Sequence, residues 1–387
     1  MAESKSKKTR RRQQLRLEQK RRRVRRILCV LLAVCAALAP IAAFAGIYID
    51  AGGIGGENVL KRIRLGSYPQ TLVTDPELLG ELSALPLDWT YYDDCYSGSD
   101  FYGTQRRTDC MKYADTELGG EKYRAVMIER YRPRDSVAPA TADESLQDDN
   151  GFSAGKVFFF LFEPITWLVY DYGSGFSLTE KVLDAASFNN SIYWTDRNFD
   201  GAVDYEKELS GSEWLFTPAN LYKTSSVRKW LNSVFFETAF SPEEKKSVAL
   251  SFHRAATAAG QSDRYNLLSL YLDRVFLPSL RDVSEPGNFW EGYYTSHGDE
   301  VRLAPVTDYA RCRGAATEEI DGSLYSWEWL CTPGDYYADV MSVNIDERVI
   351  SVDRQFSYSY TVGGIRCAAR VKNAGAYPGV TEEADGK

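Results

Sequence analysis

The hydrophobic pattern opens with an uncharged run of 23 residues, 27–49, directly after a tail rich in lysine and arginine. As a helix this run would be about 34 Å long, at about 1.5 Å per residue, enough to cross a hydrocarbon core of about 30 Å. We therefore predict a transmembrane signal anchor at 27–49. The alternative is a cleaved signal peptide, because Ala43-Phe44-Ala45 before Gly46 fits a small-residue cleavage site.

The basic tail sets the predicted orientation. Residues 1–26 hold 13 Lys and Arg residues and only two acidic ones, so they should stay in the cytoplasm. The chain is then a single-pass protein of the cell membrane with an extracytoplasmic body. Its first predicted partner is the membrane, through 27–49.

Three helices are predicted from their start signals. Asp75 offers an N-cap before Pro76, and three leucines then share one face. Ser225 precedes a second helix, in which apolar residues recur at i, i+3, i+4, i+7 and i+8. Ser241 and Glu244 form a capping box around a proline at the first helical position, which opens a third helix.

Strands are predicted where apolar and β-branched residues are concentrated between turn residues. The segments are 122–129, 157–162, 166–170, 342–352 and 364–371. Long stretches rich in Tyr, Gly, Asp and Ser separate them without clear periodicity. The pattern predicts an α+β fold with much loop, rather than a regular alternation of strands and helices.

Composition sets the predicted domain boundaries. They are a basic cytoplasmic tail at 1–26, the transmembrane signal anchor at 27–49, a Gly-rich linker at 50–60, a single extracytoplasmic domain at 61–372 and a flexible tail at 373–387. The acidic stretch 135–150 is interpreted as a loop inside the domain.

The charge is divided unevenly along the chain. The formal net charge is −8, and the tail alone contributes 13 basic and two acidic residues, which leaves −19 on the rest. A body this acidic repels phosphate backbones, so we expect no nucleic-acid partner. With only two histidines, His253 and His297, His-rich metal sites are excluded and little material remains for a Ser-His-Asp triad.

The segment Ile-Arg-Leu-Gly-Ser-Tyr-Pro-Gln at 63–70 resembles the opening motif of the bacterial domain of unknown function 6273. Further matches follow in the family's order at 122–126, 163–169, 226–232, 273–277, 307–310, 329–330 and 364–366. The resemblance runs from about residue 61 to residue 371. It implies one large domain without an established activity.

Two later segments are similar to formylglycine-generating enzymes, the sulfatase-modifying factors. Gly-Asn-Phe-Trp-Glu-Gly at 287–292 resembles their Gly-Asn-Val-Trp-Glu-Trp segment, and Gly-Ile-Arg-Cys at 364–367 resembles their terminal Gly-Phe-Arg strand. This resemblance implies a C-type-lectin-like fold with small twisted antiparallel sheets, two or three helices and much ordered loop, here preceded by one transmembrane helix. That fold hosts enzymes as well as glycan-binding and protein-binding modules, so function must be argued from the site.

Five cysteines lie in the predicted exterior, where disulfides are permitted and an odd number leaves one over. They are Cys95, Cys110, Cys312, Cys331 and Cys367. Cys331 and Cys367 stand where the 6273 family more often shows Arg and Pro, which suggests a cross-strand disulfide. The alternative is a copper-binding cysteine pair as in formylglycine-generating enzymes, but the close spacing of their pair does not occur here.

The best local motif begins at Asp196. Asp196, Asn198 and Asp200 match the D-x-[DN]-x-[DN]-G calcium loop, and Asp204 is acceptable at its ninth position. Position 12, where a bidentate Glu belongs, is Lys207. Calcium is therefore the candidate cofactor, and the alternative is an acidic surface turn closed by side-chain hydrogen bonds.

Aromatic residues are frequent in the predicted loops, and their rigid amphipathic rings suit contacts with sugars or proteins. These residues are Tyr91, Tyr92, Trp290, Tyr293, Tyr294, Trp327, Tyr336 and Tyr337. The candidate ligand-binding residues among them are Trp290, Tyr293, Tyr294, Trp327 and Tyr336. The alternative is that the rings pack the loops themselves.

Together these features predict a membrane-anchored, extracytoplasmic recognition module that binds a glycan, cell-wall or protein ligand without catalysis. The first alternative is an enzyme with a formylglycine-generating-enzyme-like fold, for which the exterior cysteines are the discriminator. The second is a structural partner of membrane proteins. No Gly-rich phosphate loop, zinc pattern or nucleophile elbow is present in the sequence.

Overall fold

Strands dominate the part of the chain that the structure describes. The computed structural model describes residues 47–49, 61–93, 110–130, 151–189, 220–254, 270–280, 282, 304–334, 339–346, 349–356 and 362–379. The fold is 47% strand and 20% helix, and the strands form mainly antiparallel sheets. The predicted α+β, C-type-lectin-like class is therefore wrong, and the architecture is mainly β.

The predicted membrane helix also needs correction. The chain divides into two compact units, Met1–Tyr48 and Ile49–Lys387. Residues 27–46 lie outside the described residues, but the last three residues of the predicted helix, Ile47–Ile49, form strand β1. Within the described ranges, no helix is long and apolar enough to span a membrane. The transmembrane helix at 27–49 is thus not supported.

The largest sheet has eight strands. They are β2 (Lys61–Leu72), β3 (Thr90–Tyr91), β4 (Met111–Leu118), β5 (Glu121–Ile128), β6 (Val157–Asp171), β7 (Phe176–Thr179), β11 (Val275–Phe276) and β18 (Ala368–Arg370). Seven follow the order β11-β18-β7-β6-β5-β4-β3, and β2 pairs with the other edge of β6. All of these pairs are antiparallel.

A second sheet has five strands in the order β16-β15-β14-β17-β8. They are β8 (Asp184–Ala186), β14 (Glu328–Pro333), β15 (Asp339–Asp346), β16 (Val349–Phe356) and β17 (Gly363–Ile365). The pair of β14 with β17 is parallel, through Glu328 and Gly364, and the other pairs are antiparallel.

The remaining elements are short. Two antiparallel pairs join β9 (Leu250–Arg254) with β10 (Leu270–Asp273), and β12 (Glu318–Ile320) with β13 (Ser323–Tyr325). The helices are α1 (Pro76–Ser83), α2 (Ser226–Trp230), a π-helical turn (Leu231–Phe235), α3 (Phe236–Ala239), α4 (Glu244–Ser247) and α5 (Asp308–Cys312). Two 3₁₀ turns are Tyr222–Thr224 and Ala374–Ala376.

The start signals of the three predicted helices are confirmed. The Asp75 side chain accepts hydrogen bonds from the first turn of α1, and Ser225 caps α2. Ser241 and Glu244 form the capping box, with the Ser241 N–H 2.9 Å from Glu244 Oε2. The third helix is nevertheless only one turn long, because the chain enters extended backbone at Val248.

The predicted strands are also found, although their grouping differs. Segment 122–129 is β5, and segments 157–162 and 166–170 are the two ends of the single long strand β6. Segment 342–352 falls on β15 and β16, and segment 364–371 on β17 and β18.

Strand β2 was not predicted, because a glycine and a proline interrupt its pattern. Gly66 has φ of +79°, and a Cβ there would lie 2.7 Å from the Ala239 carbonyl oxygen. The pairing with β6 shifts register on both sides of this motif, between Arg64 and Ser67 and again after Pro69. The irregular strand therefore bends where Gly66 meets the end of α3. Glycine is the residue that permits the left-handed backbone there.

Two cores lie on the two faces of the eight-stranded sheet. Along β5, Tyr123 and Ala125 face a small core under α1, while Val126 faces the large core that also contains Trp167 and Trp329. This alternation follows the period of two along a strand.

Two glycine substitutions test the backbone analysis. Gly80 lies in the middle of α1 in open space, so Gly80→Ala should raise the free energy of unfolding by about 0.5–1 kcal/mol through helix propensity. Gly175 has φ of +70° and a Cβ there would lie 2.1 Å from the Val371 carbonyl oxygen. Gly175→Ala should therefore lower stability, by about 2 kcal/mol or more. Denaturant titration measures both, and equal effects would contradict the backbone analysis.

Candidate functional site

Most of the predicted site residues cannot be placed. The calcium motif, Asp196, Asn198, Asp200 and Asp204, lies outside the described residues. The same holds for four of the five aromatic candidates, Trp290, Tyr293, Tyr294 and Tyr336. Their predicted roles stay predictions.

Trp327 is the aromatic candidate that the structure describes. Its ring is half-buried and lies edge-on to Trp329, with the ring centroids 4.7 Å apart. A Cβ at Gly363 would lie 2.4 Å from the Trp327 ring, so the ring is packed directly on backbone. The ring therefore packs within the fold.

The predicted disulfide between Cys331 and Cys367 is wrong. Cys367 is a fully buried free thiol, and its backbone exchanges two hydrogen bonds with Thr179 of the eight-stranded sheet. Cys331 belongs to β14 of the other sheet. Burial, with the nearby Asp184 carboxylate, raises the pKa of Cys367, so this thiol carries little thiolate for metal binding or catalysis.

A buried carboxylate, Asp184, connects the two large sheets. It lies in β8 and is 1% exposed. The Tyr68 hydroxyl of β2 donates to Asp184 Oδ2 at 2.7 Å, and Arg313 Nε donates to Oδ1 at 3.0 Å. Burial and the neighbouring Asp184 raise the pKa of Tyr68, so its hydroxyl stays protonated and can donate. The carboxylate is thereby both paired and hydrogen-bonded, which is what a buried charge requires.

The polar contacts continue from Arg313 along the same face of the eight-stranded sheet. The Arg313 guanidinium lies 3.8 Å from the centre of the Tyr92 ring, and the hydroxyls of Tyr92 and Tyr309 are 2.9 Å apart. Arg124 donates to the Tyr309 hydroxyl at 3.2 Å and to both oxygens of Asp115. Burial alone would raise the pKa of Asp115, but the hydrogen bonds and charge of Arg124 outweigh it and lower that pKa. We call the chain from Asp115 to Tyr68 the interlayer network.

Other motifs of the family resemblance bind each other. Asn232 Oδ1 accepts hydrogen bonds from the backbone N–H groups of Arg274 and Val275, and its amide donates to the Val275 carbonyl. Arg228 Nε donates to Asp273 Oδ1 at 2.8 Å. Motif 226–232 is thus bound to motif 273–277. The motifs therefore fix local structure.

A second buried ion pair joins Glu328, the residue before motif 329–330, to Arg366 of motif 364–366. Arg366 and Glu328 are almost fully buried, with Arg366 Nη1 3.9 Å from Glu328 Oε1. Burial raises the pKa of Glu328 to about 7, although the charge of Arg366 acts in the opposite direction. This carboxyl therefore titrates near neutral pH inside the five-stranded sheet.

A partly exposed row of side chains crosses four adjacent strands of the eight-stranded sheet. Tyr91 pairs with Lys112, Lys112 with Met127, and Met127 with Val157, so all four side chains project from one face. Phe159, two residues farther along β6, lies on the same face in the α1 core. We call Tyr91, Lys112, Met127 and Val157 the aromatic strip; it continues that core surface into solvent.

The two ends of the aromatic strip are exposed, its two middle residues are half-buried, and its tyrosine is fixed. Tyr91 is 46% exposed and Val157 37%, while the Tyr91 hydroxyl donates to Glu129 Oε2 at 2.7 Å. The Lys112 ammonium also binds Glu129 and lies 5.9 Å from the centre of the Tyr91 ring. It lies 5.3 Å from the half-buried Trp89 ring as well. Of the aromatic residues noted in the sequence, Tyr91 is thus at the surface, whereas Tyr92 belongs to the buried network.

Sequence reasoning missed most of these residues. Tyr68 and Arg124 were noted within family motifs, but nothing local indicated that they share one buried network. Asp184 does not lie in any of the motifs. The aromatic strip depends on the pairing of four strands. The sequence predicted only two of them, β5 and β6, which carry Met127 and Val157.

Removing one hydroxyl tests the interlayer network. Tyr68→Phe takes a donor from the buried Asp184, so the free energy of unfolding should fall by about 1–3 kcal/mol in denaturant titration. Tyr113→Phe is the control, because the half-buried Tyr113 ring packs on Tyr92 and its hydroxyl has no hydrogen bond within the described ranges. Equal stability losses in the two variants would show that Tyr68 contributes only packing.

The buried Glu328 predicts a pH dependence of stability. Between its ordinary pKa of 4.5 and about 7, the folded protein holds a proton that the unfolded chain has released. Stability from this group is therefore complete below about pH 4.5 and is lost as pH rises through 7. The free energy of unfolding of Glu328→Gln, relative to wild type, should rise by roughly 3 kcal/mol between these limits. Parallel stability curves for the two proteins would contradict the assignment.

Comparison with known proteins finds one family model that matches part of the chain. The model of the family described as Domain of unknown function (DUF6273) matches residues 208–373. No curated protein and no solved structure matches the chain, so the likeness to lectins and formylglycine-generating enzymes is not confirmed. The matched range includes the contacts of Asn232 with Arg274 and of Glu328 with Arg366. It excludes Tyr68 and Arg124 of the interlayer network. Over residues 208–373, the chain is therefore similar to the DUF6273 family.

Proposed function

We propose that this chain is a non-catalytic recognition module that binds a protein ligand through the aromatic strip. The observation that carries the proposal is Tyr91, an aromatic residue that is almost half exposed and whose hydroxyl and backbone are both fixed. Tyrosine and methionine, two of the four residue types in the strip, are enriched in protein interfaces. The proposal includes the extracytoplasmic location predicted from the sequence, where cell-surface ligands lie.

The shape of the strip favours a macromolecular ligand. Three spacings between neighbouring strands, at about 4.8 Å each, make the strip about 14 Å wide. It lies on the face of a sheet, whereas small molecules are usually held in concave sites. Because Glu129 already holds the Tyr91 hydroxyl, little side-chain entropy remains to be lost on binding.

A glycan is the second candidate ligand, and one observation favours it. The Tyr91 ring lies beside the Glu129 carboxylate and the Lys112 ammonium. The apolar face of a sugar can pack on such a ring, while its hydroxyl groups bond to the adjacent charged groups. Cell-wall glycans would fit this arrangement.

Peptide display on the immobilised full chain tests the proposal. Peptides selected on the wild-type protein should bind Tyr91→Ala about 10-fold to 100-fold more weakly, because truncating a central aromatic contact costs about 1–3 kcal/mol. Tyr172→Ala is the matched control: Tyr172 is 42% exposed and lies just beyond the end of β6 opposite to Val157. It should bind with wild-type affinity.

Two outcomes would contradict the proposal. Selected peptides that bind Tyr91→Ala as tightly as wild type would place recognition elsewhere. Binding on a glycan array that depends on Tyr91, with no peptide selected, would replace the protein ligand by the glycan. Thermal melting of Tyr91→Ala and Tyr172→Ala serves as the control that both variants are folded.

A further inference from the structure

The lysine of the aromatic strip occupies a small cation site that the protein itself forms. The Lys112 ammonium binds the Glu129 carboxylate. It also lies 5.3 Å from the centre of the Trp89 ring and 5.9 Å from the centre of the Tyr91 ring. Both distances are within the range of about 6 Å over which an aromatic ring attracts a cation. Two rings and one carboxylate therefore surround the same positive charge.

The backbone and one hydrogen bond hold these groups together. Tyr91 of β3 is directly opposite Lys112 of β4, and Trp89 lies two residues before Tyr91. The Glu129 N–H donates to the Cys110 carbonyl at 2.7 Å, which keeps Glu129 beside the end of β4. The Tyr91 hydroxyl donates to Glu129 Oε2 at 2.7 Å. We call Trp89, Tyr91 and Glu129 the cation site.

The cation site is at the protein surface, so its present occupant is exchangeable. Tyr91 is almost half exposed, Trp89 is half-buried, and the side chains of Lys112 and Glu129 are both partly exposed. Ion pairs and cation–aromatic contacts at a surface are individually weak. Lys112 can therefore move into solvent at a small cost, and another cation can take its place.

The charge of the protein favours a basic partner. Beyond residue 26 the formal net charge is −19, so the long-range field attracts cations and repels anions. At the cation site, an anion would meet the negative faces of two aromatic rings and the Glu129 carboxylate. It could bind only Lys112, whose charge Glu129 already balances.

Of the two basic side chains, arginine suits the cation site better than lysine. A lysine from a partner would only exchange one ammonium for another. A planar guanidinium bonds to a carboxylate through two N–H groups and stacks on an aromatic ring at the same time. Tryptophan, the ring type that attracts cations most strongly, is one of the two rings of the site.

We infer that the partner protein inserts an arginine side chain into the cation site and displaces Lys112. This inference rests on the proposed function, because it names the chemistry of the protein ligand at the aromatic strip. Lys112 is then an internal competitor that fills the site in the free protein.

Three short peptides test the inference on the full chain. They are acetylated and amidated Gly-Arg-Gly, the same peptide with lysine in place of arginine, and the same peptide with citrulline, the neutral analogue of arginine. In saturation-transfer NMR titrations of the wild-type protein, the arginine peptide should bind about tenfold more tightly than the citrulline peptide, with the lysine peptide between them. Glu129→Gln should remove this order, because its amide is neutral and its carbonyl oxygen still accepts the Tyr91 hydrogen bond.

Removal of the competitor should strengthen binding. Lys112→Ala should bind the arginine peptide about tenfold more tightly than wild type, because the peptide no longer has to break the contacts of Lys112. Lys122→Ala is the matched control. Lys122 also lies over an aromatic ring, 4.1 Å from the centre of Phe162, and its Nζ is 3.4 Å from Asp115 Oδ2, but it belongs to β5 and not to the cation site. This control should bind like wild type.

Thermal melting shows whether the variants are folded. If Lys112→Ala does not fold, Lys112→Gln replaces it, since glutamine keeps most of the side chain and removes the charge. Equal signals from the arginine and citrulline peptides, or none from either, would overturn the inference.

The lysine variant supplies two further outcomes that would overturn the inference. Binding of the arginine peptide that is unchanged in Lys112→Ala would show that Lys112 does not compete, and weaker binding would show that Lys112 contacts the ligand. The proposed function fails separately. If peptides selected by display still depend on Tyr91 while the arginine peptide does not bind, the aromatic strip recognises a protein ligand without an arginine.

Discussion

The arrangement of the two large sheets depends on one buried carboxylate. Asp184 accepts hydrogen bonds from Tyr68 of the eight-stranded sheet and from Arg313, which follows α5. A buried carboxylate is tolerated only where its charge is balanced and its oxygens are bonded. The two sheets and α5 must therefore pack so that all three groups meet. Apolar packing alone would not impose this register, since apolar contacts are non-directional.

The requirement that a buried charge be paired and hydrogen-bonded also applies to Arg124 of the eight-stranded sheet. Arg124 is 3% exposed, and it reaches from Asp115 at the edge of the layer to the Tyr309 hydroxyl inside it. Its aliphatic stem and guanidinium are surrounded by aromatic rings, with the Tyr113 ring centre 4.5 Å away. Planar guanidinium groups bond and stack at once, which lysine cannot do. The network thus explains why tyrosines and arginines, rather than aliphatic residues, fill this part of the interior.

The motifs of the family resemblance acquire a structural meaning from these contacts. Tyr68, Arg124 and Tyr309 belong to three different motifs and meet in one network. Asn232 and Arg274, from two others, are bonded through side chain and backbone. Such contacts give the motifs a role in holding the fold together, and the ligand must be inferred from other surfaces. The aromatic strip and the cation site both lie outside the motifs.

The sequence predicted local structure well and the overall class poorly. The caps at Asp75, Ser225 and Ser241 act over three or four residues, so each helix start could be recognised. Sheet pairing joins residues that are distant in sequence, as when β18 pairs with β7 about 190 residues earlier. The visible helix signals therefore received too much weight, and the α+β class was wrong.

The candidate sites show the same division. Tyr91 could be selected from the sequence as an aromatic residue, but its exposure depends on the pairing of β3 with β4. Lys112 and Glu129 were not predicted as site residues, because a single strand does not show which residues lie beside it. Only the pairing of β4 with β3 and with β5 brings them beside Tyr91.

The central claim is that Asp184 makes the two sheets one cooperative unit. Native-state hydrogen exchange of the wild-type chain in increasing denaturant tests it most directly, because the exchange of each strand reports its own free energy of opening. We predict that amides of β2 and β6 in one sheet, and of β8 and β14 in the other, converge on a single opening free energy. Exchange of either sheet at a clearly lower free energy, while the other stays protected, would contradict the claim.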